Sequence, residues 1–212
     1  IARPSATQYI SQNWSGLYAG LHAGYARGNL STVDTTGGVA PGPYDWRTNG
    51  GMIGGQAGYN WQLSNFVIGV EGDLAYLGNS GSGYIPSSNP AAHQDLTLQN
   101  GMLADITGRA GYSLGSVLVY GKGGAAWYTG GAGQTTTNPG YATTRTGTWS
   151  GYTYGGGVEY SPWANWSIKA EYLHYDFGTG NGYQTSISDP PIGYIYRNAT
   201  NLTFDTVKIG VN

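Results

Sequence analysis

The chain is expected to fold as an all-β protein, an eight-stranded antiparallel up-and-down transmembrane β-barrel, and three observations lead there. In NWSIKAEYLHYD, Asn165–Asp176, the set Trp166, Ile168, Ala170 and Tyr172 is apolar, and the interleaved Ser167, Lys169 and Glu171 are polar and carry both charges. A period of two with one apolar and one polar face is a strand between two solvents. Charged residues make up only 9% while aromatics reach 14%, against about 25% charged in a soluble domain. The alternating segments are joined by connections that are in turn long and short, the asymmetry of outer-membrane barrels.

Composition narrows the class further. Mean hydropathy is negative, and no run approaches the ~18–20 apolar residues of a membrane helix. Disordered chains are poor in aromatics, whereas this one holds 19 Tyr and 7 Trp among 212 residues. The absence of Cys says little, since a closed barrel needs no disulfide. A net charge of −2 gives no reason to expect nucleic acid as a partner. The chain begins at Ile1 without Met or a signal peptide and is read as a mature or trimmed form.

Taken in order, residues 1–13 show no sustained alternation and are expected to form a periplasmic N-terminal arm, with residues 14–212 as the barrel. The first strand is Ser15–Ala26, with Leu17, Ala19, Leu21, Ala23 and Tyr25 outward and Tyr18, Gly20, His22 and Gly24 inward. A long loop, Arg27–Asn49, follows. The second strand, Gly51–Trp61, puts Ile53, Ala57, Tyr59 and Trp61 out and Gln56 and Asn60 in. After a short link comes Phe66–Leu77, with Phe66, Ile68, Val70, Leu74 and Tyr76 out and Glu71 and Asp73 in. Gly78–Thr97 is a long loop rich in Gly, Ser, Asn and Pro. Leu98–Tyr112 turns Met102, Ala104, Ile106, Ala110 and Tyr112 out and Asp105, Thr107 and Arg109 in. Val117–Tyr128 sends Val117, Val119, Ala125 and Trp127 out and Tyr120 and Lys122 in, before a long loop Thr129–Thr146. Thr148–Tyr160 presents Tyr152, Tyr154, Val158 and Tyr160 outward and Thr153 and Glu159 inward. The Asn165–Asp176 strand, a long loop Phe177–Asn201 and a last strand Leu202–Asn212, with Val207, Ile209 and Val211 out and Lys208 in, complete the series. Strands of about ten residues at ~3.3 Å each, tilted ~40°, span the ~25 Å apolar band. The short turns then fall in the periplasm, and four long loops outside the cell.

Glu71, Asp73, Asp105, Arg109, Lys122, Glu159, Lys169, Glu171 and Lys208 all occupy inward positions. A charge at the lipid midplane costs ~2–4 kcal/mol, and an unpaired charge in a narrow lumen costs several. Eight strands leave an interior just wide enough for side chains. A salt-bridged polar plug with little or no open pore is therefore expected. Tyr25, Trp61, Phe66, Tyr76, Tyr112, Trp127, Trp149, Tyr160 and Trp166 are assigned to aromatic girdles at the two membrane surfaces.

No catalytic constellation is found. His22 sits at an inward strand position, where it serves as a lumen hydrogen-bonder; His93 lies on a loop and His174 at a strand rim, without metal-ligand spacing. No cofactor or metal is expected. GMIGGQAG, Gly51–Gly58, looks like a phosphate loop but alternates as a strand and precedes no helix. His174 beside Asp176 is weak ground for a rim hydrolase.

WSGLYAGLHAGY, GGMIGGQAGYNWQ, FVIGVEGDL, GRAGYSLGSVLVYGKGGAAW, GGGVEYSPWANWSIKAEYLHYDFG and VKIGVN resemble the Omp25/Omp31-like small outer-membrane β-barrel family of alphaproteobacteria. The resemblance covers all eight strands. It implies a barrel resembling the OmpA membrane domain, in a family of abundant surface proteins, small porins and haem-binding proteins with no shared catalytic residues. Members of that family usually carry an aromatic after the VKIGVN-like strand, and this sequence stops before that position, at Asn212. Three functions are open: a structural envelope barrel displaying its loops, a narrow porin for small solutes, and a binding module for haem, host surface or neighbouring copies of itself. Outer-membrane lipid and lipopolysaccharide are the expected partners. Tyr44, Trp46, Tyr84, Tyr141, Tyr183, Tyr194 and Tyr196 are placed in the loops, where they serve contact or mutual packing.

Overall fold

The structure, a computed structural model, describes residues 12–34, 42–86, 93–136, 142–178, 188–189, 194–195 and 198–212. Eight long strands carry the fold: β1 (Gly16–Asp34), β2 (Tyr44–Leu63), β3 (Phe66–Pro86) and β4 (His93–Ser113). They are followed by β5 (Val117–Thr136), β6 (Ala142–Trp163), β7 (Trp166–Asp176) and β8 (Asn198–Val211). Each pairs antiparallel with its sequence neighbour, and the sheet closes where β1 meets β8, from Leu21↔Val211 to Asp34↔Asn198. Closure removes both edges, so the strands leave no unpaired backbone row facing lipid. Ser188–Asp189 and Tyr194–Ile195 form a small separate ladder.

The hairpins at one end are tight, with turns at 64–65 and 164–165 and a short link at 114–116. Their backbones adopt the left-handed region at Ser64 (φ 58°), Asn165 (φ 68°) and Gly115 (φ 78°). Positive φ matches a two-residue hairpin to the natural strand twist.

At the other end the strands run well past the expected boundaries. β1 continues to Asp34 and β2 starts at Tyr44, inside the expected loop Arg27–Asn49. Likewise β3 reaches Pro86, β4 begins at His93, β5 reaches Thr136, β6 begins at Ala142 and β8 at Asn198. The connections shrink to 35–43, 87–92, 137–141 and 177–197. His93, Tyr44, Trp46 and Tyr84 therefore lie on strands, and Tyr194 in the small ladder, whereas Tyr141, Tyr183 and Tyr196 fall outside the described residues. The physical reason is that hydrophobic alternation marks a strand only while one face meets lipid. Above the lipid band the ladder persists on backbone hydrogen bonds, and Ser, Thr and Asn take the outward positions. The expected N-terminal arm lies almost wholly outside the described residues.

Within the apolar band the two faces separate cleanly. Leu17, Leu21, Ile53, Ile68, Ile106, Val158, Ile168 and Ile209 are exposed to the surroundings, Leu17 by 85%. Glu71, Asp105, Arg109, Lys122, Lys169 and Lys208, on the opposite parity, are buried.

Candidate functional site

The strands bring the predicted charged side chains together in the lumen, which is layered. At the turn end Trp14 packs into the lumen, beside a cavity of about 310 Å³ lined by Tyr18, Asn60, Glu159, Ser167 and Asn212 among others. Its backbone N–H donates to Gln62 Oε1 at 2.7 Å and its indole Nε1 to Ser113 Oγ at 3.1 Å, while the ring packs with Val67, Leu118 and Tyr120.

Above it stands an ion network supplied by seven strands. Lys122 Nζ is 2.6 Å from Glu71 Oε1 and 3.3 Å from Glu171 Oε1. Lys169 Nζ lies 3.4 Å from Glu71 Oε1, and Lys208 Nζ bridges Asp73 at 3.1 Å and Glu171 at 3.2 Å. Arg109 reaches Glu159 at 2.9 Å and Glu71 at 3.5 Å. Its guanidinium stacks 4.2 Å over the Tyr120 ring, a cation–π contact that suits the flat cation. Tyr18 donates to Glu71 at 2.8 Å and Tyr120 to Glu171 at 2.8 Å. Glu159 also accepts from Ser167 Oγ at 2.5 Å and from Asn212 Nδ2 at 2.6 Å. His22 Nε2 lies 2.9 Å from Asp73 Oδ2. Asp105 differs from the other eight predicted network residues: among the described residues it makes no ion pair. It faces Asp73 directly across the β3–β4 ladder and instead accepts from Tyr175 Oη at 2.9 Å.

Space for these large side chains comes from glycine. A Cβ on Gly58 would meet the Tyr18 hydroxyl at 2.5 Å, and one on Gly157 the Tyr120 hydroxyl at 2.8 Å. Both glycines are inward neighbours of the network, and each leaves room for one tyrosine ring.

Above the charges the filling turns apolar. Leu77, Leu103, Tyr128, Trp149, Leu173, Tyr175, Phe177, Leu202 and Phe204 form a buried cluster. Tyr128 sits at its centre, 5.1 Å from Phe204 and 5.5 Å from Trp149 between ring centroids, and donates its hydroxyl to Gln99 O at 3.0 Å. This corrects the assignment of Trp149 to a girdle. It is 1% exposed, because position 149 shares the parity of the inward Thr153 and Glu159. Tyr25, Trp61, Phe66, Tyr76, Tyr112, Tyr160 and Trp166 are exposed on the outer wall and Trp127 half-buried there. Phe66 and Tyr112 pair edge-to-face across β3 and β4 at 5.3 Å.

The apolar layer is what reading the charges alone missed. The signal was available: on β7 the inward parity of Ser167, Lys169 and Glu171 continues into Leu173 and Tyr175. Trp14 gave no periodic signal, since it precedes β1.

Outside the lumen, His174 does not pair with Asp176. Its Nδ1 lies 2.8 Å from Asp205 Oδ1, which also accepts from Tyr172 Oη at 2.6 Å, whereas Asp176 accepts from Tyr152 Oη at 3.0 Å. Among the described residues no group of three His, Cys, Asp or Glu is arranged to hold a metal ion.

Known proteins share this architecture. A family model described as the outer membrane protein beta-barrel domain matches residues 2–212. The 31 kDa outer-membrane immunogenic protein of Brucella melitensis biotype 1 is 33% identical over 222 residues, which cover 99% of this chain and 87% of that protein. The 22 kDa outer membrane protein of Rhizobium leguminosarum bv. viciae is 30% identical, over 78% of this chain and 65% of its own. Among solved structures, the outer membrane protein OprG from Pseudomonas aeruginosa superposes with a TM-score of 0.60 at 12% identity, covering 95% of this chain and 98% of OprG. That likeness is one of fold.

Proposed function

The chain belongs to the outer membrane protein β-barrel domain family, in its Omp25/Omp31-like group, and from that premise we propose that it is a non-conducting structural barrel. It resides in the bacterial outer membrane. In this reading it stiffens the envelope and holds its extracellular strand ends at the cell surface. The observation that supports the reading is the succession of side-chain layers in the lumen: Trp14 at the turn end, the ion network above it, and the Tyr128-centred cluster above that. A small solute would have to break charge pairs and displace packed rings in the same passage, each step costing several kcal/mol. No catalysis is proposed. His174 has a carboxylate partner, Asp205, and no hydroxyl nucleophile hydrogen-bonded to it among the described residues.

Planar-bilayer recording of the purified full chain tests the reading. No stepwise current is expected at any applied voltage that the bilayer survives. Discrete, reproducible conductance steps from the protein would replace it with a narrow porin.

A further inference from the structure

On β8, β1, β2 and β3 the outward row changes from apolar to polar at one height. Along β1, Tyr25 is followed outward by Arg27, Asn29 and Ser31; along β8, Val207 gives way to Asp205, Thr203 and Asn201. β2 supplies Asn49, Arg47 and Asp45, and β3 supplies Ser80, Ser82 and Tyr84. The register stacks them in rows: Asp205, Arg27 and Asn49; then Thr203, Asn29 and Arg47; then Asn201, Ser31 and Asp45. Arg27 and Arg47 are thus diagonal neighbours, about 7–8 Å apart.

Three facts set this patch apart. A cleft of about 880 Å³ opens on it, lined by Asn29, Ser31, Asp45, Arg47, Tyr84 and Asn201 among others, with Arg27 one ladder row below its lining on the lipid side. Arg27 and Arg47 are the outward cations among the described side chains; Arg109, Lys122, Lys169 and Lys208 are buried in the lumen. Asp205, the acid beside Arg27, already accepts from Tyr172 and His174, and Asp45 already accepts from Ser31 Oγ at 2.7 Å.

Guanidinium groups bind phosphate and carboxylate through paired N–H donors. Short amide and hydroxyl side chains around a cleft of this size match the hydroxyls of a sugar. The height fixes where that sugar is. The patch starts one outward position above Tyr25, the last apolar side chain of the band on β1, and its cleft continues toward the rim, so it spans the lipid headgroups and the sugars just outside them. We infer that this cleft binds the phosphorylated saccharide of a glycolipid in the outer leaflet, with Arg47 on its lining and Arg27 at its lipid-side margin holding phosphate and the Asn, Ser and Thr side chains holding sugar hydroxyls. The wall would then carry its own ring of bound glycolipid on one side only.

The test uses the full chain in nanodiscs and three probes: deep-rough lipopolysaccharide, the same glycolipid after dephosphorylation, and its water-soluble core oligosaccharide. The intact glycolipid should bind at least tenfold more weakly to R27Q/R47Q than to the parent chain. Dephosphorylated glycolipid should bind parent and variant alike, and the soluble oligosaccharide should bind more weakly than the intact glycolipid. T148A/S150A, on the opposite wall, should keep the parent affinity. If R27Q/R47Q fails to fold, N29D and S82D, which add negative charge to the cleft, should show the same loss. An unchanged affinity in R27Q/R47Q, or equal binding of the dephosphorylated glycolipid to the parent chain, overturns the site. A soluble oligosaccharide that binds as tightly as the glycolipid overturns its placement in the leaflet.

Discussion

Lys122→Ala probes the centre of the lumen. Lys122 Nζ is the closest cation to Glu71, at 2.6 Å, and also contacts Glu171 at 3.3 Å. Truncation leaves Glu71 with Lys169 at 3.4 Å and Arg109 at 3.5 Å, and Glu171 with Lys208 at 3.2 Å and the Tyr120 hydroxyl. Breaking a buried pair costs ~3–5 kcal/mol because a carboxylate is left under-compensated. The surviving partners here hold the loss near the lower limit, ~3 kcal/mol, or roughly a hundredfold in the folding equilibrium. Lys122→Met combined with Glu171→Gln removes one charge of each sign at nearly constant volume. Its cost should fall below that of Lys122→Ala, with a coupling of ~1–3 kcal/mol between the two sites. Equilibrium unfolding by urea in lipid vesicles, followed by Trp fluorescence and by heat-modifiable gel mobility, measures both. A Lys122→Ala barrel within ~0.5 kcal/mol of the parent chain would mean that the network does not carry stability, and the reasoning fails.

Three further outcomes follow from the same packing. Gly157→Ala pushes a methyl against the Tyr120 hydroxyl and should cost ~1–3 kcal/mol, while Gly108→Ala, with nothing within 4 Å of its added carbon, should be close to neutral in the same urea assay. Ile106→Lys, at an outward position midway along β4 between Tyr112 and Met102, should lose ~2–4 kcal/mol; a neutral result would mean that this wall does not face lipid. Tyr128→Ala removes the ring at the centre of the apolar layer and should destabilise by ~3–5 kcal/mol, read as a lower unfolding midpoint; a shift under ~1 kcal/mol would show the layer to be loosely packed.

Inside the lipid band the fold was readable residue by residue. Hydrocarbon on one side and a confined lumen on the other force strict alternation, so Leu17 against Tyr18 and Ile168 against Lys169 declare their faces. Beyond the band that contrast ends. Ser31, Thr48, Ser82 and Thr129 belong to strands, yet nothing in their polarity distinguishes them from loop residues. Their pairing is decided by backbone bonds to a neighbouring strand, a non-local fact. The lumen was half legible for a related reason. Charges stand out because they are costly anywhere in a membrane, whereas Leu77, Tyr128 and Leu173 look like lipid-facing residues until their parity is followed. Trp149 is the clear case: its chemistry suggests a membrane surface, and its parity turns it inward.

The continuation of the strands past the lipid carries a consequence for surface engineering. From Tyr25 to the end of β1 at Asp34, a tilted strand rises about 20 Å. The barrel wall therefore continues above the lipid, and its rim at Asp34 and Tyr44 stands clear of the bilayer. A foreign peptide grafted between those two residues would be held above the bilayer on the continued strands, away from the packed side chains of the lumen below. Grafts at that rim should leave the unfolding midpoint of the barrel where it was.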